Sequence, residues 1–208
     1  MTIFWCDDFE GNKLNPKWVS SRFSQGGQND GVWSRDIKDS KLHWIGTGGG
    51  TETIFWGEYL SIPVNAPGDI IIEALVRQKN ISASFGGLGV GFNQAVLTAE
   101  TRYGCSLNIA GGVASVDRKG KNNTVDTPFP GFPSRNKVTM ATSDLLTKFR
   151  IVRKNGYVFI YQNELFVGQY SYAPVITSID MNAIWLTNQI GTDKFIDWIK
   201  ITPSSVVL

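Results

Sequence analysis

Short runs of β-branched and aromatic residues recur along the chain between clusters of Gly, Pro, Asn and Asp, and helical periodicity is almost absent. That pattern predicts an all-β sandwich or barrel. From Ile70 to Gln78, Ile70, Ile72, Ala74 and Val76 alternate with Ile71, Glu73, Leu75 and Arg77, so a strand is expected with one apolar face and one mixed face that looks outward or into a groove. Pro67-Gly68-Asp69 introduces it as a turn in which Gly68 accepts φ > 0. The glycine-dense apolar segment Phe85 to Phe92 is expected to pair with it. Arg102 to Ile109 and Val113 to Arg118 flank Ala110-Gly111-Gly112 and predict a tight hairpin. A second hairpin runs from Lys148 to Arg153, through Lys154-Asn155-Gly156, to Tyr157 to Gln162, and Asn163-Glu164 turns the chain into Leu165 to Tyr170. Ala183 to Asn188 and Lys194 to Ile201 are the last strands before Pro203. About a dozen strands are expected, with a helical turn only within Asn136 to Leu146 and a long irregular loop from Lys119 to Arg135.

Length and composition narrow this picture. The 208 residues, 42% hydrophobic and 18% charged, fit one domain spanning residues 1–208 around one core. Basic and acidic residues number 20 and 18, are scattered, and leave a formal charge of +2, so no footprint for nucleic acid is expected. No stretch approaches the ~18 apolar residues of a membrane span, and Met1-Thr2-Ile3-Phe4-Trp5 lacks the basic start and apolar run of a signal peptide. Membrane insertion is therefore not expected; a cytoplasmic protein, a virion or phage component on an extracellular surface, and a chain trimmed of a leader all remain open. Cys6 and Cys105 are too sparse for a disulfide framework and are expected as free, buried thiols. The sequons at Asn80 and Asn122 are given no weight.

The pieces, in this order, resemble the concanavalin A-like lectin/glucanase superfamily, especially its small stand-alone jelly-roll domains of the laminin G-like kind. Asp7-Asp8-Phe9-Glu10-Gly11 with Leu14 and Trp18 is similar to the opening strand of that superfamily, and Trp33 through Leu42-His43-Trp44-Ile45 to its next piece. Gly68 to Ala74 is similar to a central strand, Phe149 to Tyr161 to its most recognisable hairpin, and Phe195-Ile196-Asp197-Trp198-Ile199-Lys200-Ile201 to its closing strand. The fold implied is a two-sheet antiparallel jelly-roll β-sandwich. Since it hosts lectins, glycosidases, lyases and adhesion modules, activity has to be argued from sites.

Glycosidases of this superfamily carry Glu-x-Asp-x-Glu on one strand, because alternate residues share a face and hold two carboxyls about 5 Å apart. No such triplet occurs. The strand taken as its counterpart offers Glu73 alone, expected to pair with Arg77 on the same face. His43, the single histidine, has no acid or nucleophile patterned around it and reads as structural. The sequence thus leans away from an enzyme.

The resemblance also implies a structural Ca2+. In the closing strand Phe195, Asp197, Ile199 and Ile201 are expected to share the core-facing side, which places a carboxylate among apolar groups where it needs a cation or N–H donors. Asp197 with Asp8 or Glu10 and carbonyls near Gly46 to Gly50 would supply hard oxygen ligands; an Asp accepting backbone N–H bonds or pairing with a lysine is the alternative.

Seven tryptophans and six tyrosines exceed what a core needs, and such rings serve as platforms for pyranose faces. Trp33, Trp44, Trp56 and Tyr59 fall in an early glycine-rich region where rings reach the surface, while Arg77, Arg102, Tyr103 and Asn108 are expected toward the concave sheet. Trp5, Trp18, Trp185 and Trp198 read as core or edge packing. The loop Pro128-Phe129-Pro130-Gly131-Phe132-Pro133 either presents its rings to a partner or seals a sandwich edge. The leading expectation is a non-catalytic carbohydrate-binding module for a glycan or polysaccharide. Next come a structural or adhesion component bound to protein subunits of an assembly such as a virion, and then a glycoside hydrolase or lyase with an unrecognised carboxylate pair.

Overall fold

The computed structural model describes residues 5–25, 32–48, 55–66, 68–78, 87–93, 104–110, 113–119, 138–139, 146–171, 175–186 and 193–203. Within them run fifteen strands: β1 Trp5–Asp7, β2 Val19–Gln25, β3 Val32–Ile37, β4 Leu42–Gly48, β5 Phe55–Ala66, β6 Ile70–Gln78, β7 Gly87–Phe92, β8 Gly104–Ala110, β9 Val113–Lys119, β10 Val138–Thr139, β11 Thr147–Lys154, β12 Tyr157–Gln162, β13 Leu165–Ser171, β14 Ile176–Leu186 and β15 Asp193–Pro203. They form two antiparallel sheets. An eight-stranded sheet has the order β13-β12-β11-β6-β15-β4-β3, with β1 also on β15, and a seven-stranded sheet has the order β10-β9-β8-β7-β14-β5-β2.

The alternation along β6 is the one the sequence predicts: Ile70, Ile72, Ala74 and Val76 face the other sheet and are buried. Across the sandwich they meet Leu60 of β5, Leu88, Val90 and Phe92 of β7, and Ile179, Met181, Ala183 and Trp185 of β14, all in one hydrophobic cluster. Each such side chain contributes roughly 1.5–3 kcal/mol by leaving water, so Ile72→Ala is expected to cost about 2–5 kcal/mol. At Gly46 the two layers approach closely. A Cβ there would lie 2.7 Å from Trp185 Nε1, so only a residue without a side chain admits the indole.

Turn chemistry fixes the registers. Asn155 and Gly156 take φ of 52° and 74°, and Asn163 and Glu164 take 48° and 63°, the left-handed pairs that two-residue hairpins need to match strand twist. Gly68, by contrast, does not take positive φ. The opening strand is shorter and earlier than expected: β1 ends at Asp7 because Phe9 takes a φ of 55° and its N–H donates to Asp7 Oδ1 at 3.0 Å. Asp7 Oδ2 accepts from Trp18 Nε1 at 2.8 Å, pinning that ring over the core end. Within 136–146 the structure describes the strand Val138–Thr139 and Leu146; the rest of the segment expected to hold a helical turn lies outside the described residues.

Two expectations about the sheets are corrected. The glycine-dense segment does not pair with β6, whose edges are both taken, by β11 and β15; β7 lies in the opposite sheet between β8 and β14. The closing strand does not keep one alternation, because a bulge between Ile196 and Trp198 inserts Asp197 as an unpaired residue. Ahead of it Lys194 and Ile196 point inward; after it Ile199 and Ile201 do. Phe195 is therefore on the outer face, stacked on His43 at 4.6 Å. Cys6 is free, as expected, yet exposed rather than buried; it lies in β1, and Cys105 lies in β8 of the other sheet.

Candidate functional site

The outer face of the seven-stranded sheet is built from alternate residues of its strands. β7 reads Gly87-Leu88-Gly89-Val90-Gly91-Phe92, with the large residues in the core, so its outer face is a strip of glycines. On one side of this strip β14 sets Asp180 and Asn182, partnered by register with Ser61 and Tyr59 of β5, and these with Val19 and Ser21 of β2. On the other side the backbone register continues each row. Asn182, Gly89, Asn108 and Ser115 form one row, and Asp180, Gly91, Ser106 and Asp117 the next.

The middle of this face is polar and nearly inaccessible: Tyr59 is 4%, Asn182 2% and Asp180 0% exposed. Asp180 Oδ2 accepts from Ser178 Oγ at 3.0 Å. Asn93, at the end of β7, secures the neighbouring chain: its Oδ1 accepts from Thr177 N–H at 2.8 Å and Ser178 N–H at 3.2 Å, and its Nδ2 donates to the Val175 carbonyl at 2.9 Å. Three buried oxygens on the face, Ser21 Oγ, Ser61 Oγ and Asn182 Oδ1, have no hydrogen-bond partner. Buried polar atoms are normally paired; these three lie on adjacent strands, β2, β5 and β14.

The residues singled out in the sequence divide between places. Tyr59 and, by backbone register, Asn108 fall on this face. Trp44 is 0% exposed between the sheets, where its Nε1 donates to Glu58 Oε2, so it presents no ring to a ligand. Trp33 is partly buried against the core, on the inward side that Arg35 and Ile37 share. Trp56 pairs with the inward Trp185, and its side chain lies outside the described set. The alternation of β3 and β4 thus turns Trp33 and Trp44 inward. Arg77 is on the other sheet, its guanidinium 4.9 Å from the Phe195 ring centre on the outer face of the eight-stranded sheet. Arg102, Tyr103 and the loop Pro128 to Pro133 lie outside the described residues.

Glu73 is also on the eight-stranded sheet, with its Oε1 3.1 Å from Lys148 Nζ and 3.9 Å from Arg150 Nε. Arg77, four residues along the strand and about 13 Å away, is out of its reach. Glu58, Asp180 and Asn182 were not singled out in the sequence. The signal was there in Ser178-Ile179-Asp180-Met181-Asn182-Ala183, a period-two alternation extending β14 well ahead of Ala183.

Asp197, at the bulge, occupies the point where β15 changes neighbour, from β4 (Ile196 opposite Leu42) to β1 (Ile199 opposite Asp7). Opening and closing strands do meet here. Asp197 Oδ1 is buried with no hydrogen-bond partner, and Oδ2 lies 4.0 Å from Lys41 Nζ. Asp8 and Glu10 are exposed, and Asp8 Oδ1 already accepts from the Glu10 N–H at 3.3 Å. Gly46 cannot serve Asp197: β4 runs antiparallel to β15, so Gly46 lies four residues beyond Leu42, about 13 Å away. Among the described residues no group of three or more His, Cys, Asp or Glu converges on a metal position.

No protein-family model and no curated protein matches this chain. Solved structures do match. The Emp46p carbohydrate recognition domain, metal-free form, superposes with a TM-score of 0.62 at 12% identity over 94% of each chain, and its potassium-bound form with 0.61 at 11% over the same shares. The endo-β-1,3-glucanase from Pyrococcus furiosus gives 0.60 at 9% identity, over 96% of this chain and 93% of that one. The Bacillus licheniformis β-glucanase gives 0.68 at 8%, over 96% and 97%. With the two antiparallel sheets and their strand order, these likenesses show that the chain has the concanavalin A-like jelly-roll fold.

Proposed function

We propose that this chain is a carbohydrate-binding domain whose site is the outer face of the seven-stranded sheet. The observation that carries the reading is the run of polar residues Asp180, Asn182, Ser61 and Tyr59 beside the glycine strip of β7. Sugar hydroxyls both donate and accept, so they suit a polar sheet face, while a glycine floor leaves room for the apolar face of a pyranose. The carbohydrate recognition domains and glucanases among the structural neighbours support carbohydrate as the ligand class.

Binding without hydrolysis is favoured because the sequence has no Glu-x-Asp-x-Glu strand of the kind that pairs glycosidase carboxyls.

A glycan array probed with the intact chain tests the reading. Binding to defined glycans that is lost in Asn182→Ala and Ser61→Ala, with unchanged thermal midpoints, supports it; no binding, or binding indifferent to both substitutions, overturns it.

We further propose a structural cation, calcium by the hardness of a carboxylate oxygen, at Asp197, with water completing its shell. Its orphaned Oδ1 would hold the ion where β1, β4 and β15 meet, and the ion would supply the positive charge that a buried carboxylate requires.

A further inference from the structure

A second polar site lies on the opposite side of the molecule, on the outer face of the eight-stranded sheet. One row there runs Arg77, Phe195, His43, Asp36 across β6, β15, β4 and β3, with Asp193 two residues before Phe195 on the same face. His43 Nδ1 is 2.7 Å from Asp36 Oδ1, the length of a charge-assisted hydrogen bond. His43 Nε2 faces Asp193 Oδ1 at 3.4 Å, and each of these two atoms is buried with no hydrogen-bond partner. The His43 side chain is 8% exposed and that of Asp193 24%. In the tautomer whose Nδ1–H donates to Asp36, the Nε2 lone pair and a carboxylate oxygen of Asp193 face each other, too far apart for a good hydrogen bond.

We infer that His43 Nε2 and Asp193 Oδ1 form a binding site for a divalent transition-metal ion, zinc in the first instance. Zinc holds nitrogen and oxygen ligands at about 2.0–2.2 Å, and two such ligands at a tetrahedral angle stand about 3.4 Å apart, the separation found. Asp36 is the positioning residue: by accepting from Nδ1–H it fixes the tautomer that leaves Nε2 free to ligate, the carboxylate–histidine arrangement common around zinc. Phe195, stacked on the imidazole at 4.6 Å with the rings 18° apart, locks the ring plane, and its strand stands between His43 and the Arg77 guanidinium. The described residues supply two ligands, so the remaining positions fall to water, reached past the part-exposed Asp193; the site is weaker than a closed structural zinc centre.

Because His43 is the only histidine in the chain, its ring resonances report on the site without ambiguity. The metal-free protein is titrated with Zn2+ by calorimetry, with Co2+ by visible absorption, and followed at both His43 nitrogens by NMR. Saturable one-to-one binding that shifts Nε2 and leaves Nδ1 protonated is expected. Affinity should fall at least tenfold in Asp193→Asn and about 10–100-fold in Asp36→Asn, with Asp197→Ala without effect. Circular dichroism verifies the fold of each variant, and Asp193→Asn carries the test should His43→Gln fail to fold. No saturable binding, binding undiminished in Asp193→Asn, or loss of the Nδ1 proton on metal binding overturns the inference.

Discussion

Trp44 Nε1 donates to Glu58 Oε2 at 2.6 Å across the space between the two sheets, joining β4 of one to β5 of the other. Glu58 is 0% exposed, and its Oε1 also accepts from Ser20 Oγ and from the Arg35 guanidinium. A carboxylate is stable inside a sandwich only when its lone pairs are taken up in this way. Glu58→Ala is expected to lower stability by about 3–5 kcal/mol, since it leaves Arg35 without its counter-charge, and Trp44→Phe by about 1–3 kcal/mol. Urea denaturation followed by tryptophan fluorescence measures both.

Lys194 is a second buried titratable group, and among the described residues no carboxylate pairs with it. It is 0% exposed, its Nζ lies 5.2 Å from the Trp185 ring centre, and burial pushes its pKa down from 10.5 to about 7. Above pH 7 and below 10.5 the unfolded chain holds a proton that the folded chain has shed, so stability should rise with pH across that window, by about 1.4 kcal/mol per unit at most. Below pH 7 both states are protonated and this contribution is flat. Lys194→Met should abolish the slope and stabilise the protein at pH 7 by about 1–4 kcal/mol. Urea midpoints taken between pH 6.5 and 9.5 decide it; a slope that survives in the variant assigns it to another group.

Asn93 takes a φ of 53° while its side chain bonds the 175–178 backbone. Asn93→Ala loses these bonds and strains the left-handed backbone, whereas Asn93→Gly loses the bonds alone. Both should destabilise, the alanine variant by about 1 kcal/mol more. Thermal unfolding of the two variants side by side checks the difference.

At Asp197, chelation of divalent cations should lower the thermal midpoint of the native protein and added Ca2+ should restore it. In Asp197→Ala the two conditions should give the same midpoint. A chelator effect that persists in this variant would place the stabilising ion elsewhere.

Local order was legible in the chain itself. The alternation of Ile70 to Gln78 and the Asn155-Gly156 and Asn163-Glu164 turns define β6, β11, β12 and β13, because strand period and left-handed turn residues act over a few neighbours. Tyr59, expected at the surface from its glycine-rich surroundings, lies instead nearly buried on the outer side of β5. The glycines of β7 were equally visible, but their assignment to the sheet opposite β6 was not, since no local feature states which sheet a strand joins.

What tertiary structure alone decided follows from long-range pairing. A single unpaired residue at Asp197 reverses the alternation of β15, which sends Lys194 into the core and turns Phe195 out onto His43. Period two cannot reveal such an insertion when Ile196, Ile199 and Ile201 are all apolar. The same holds for Trp44 and Glu58, separated by fourteen residues and brought together by two different sheets. The sequence by itself determined the strands, their turns and hence the jelly-roll sandwich; packing of the two sheets decided which polar groups are stranded inside and which face a ligand, because burial is a property of what lies opposite.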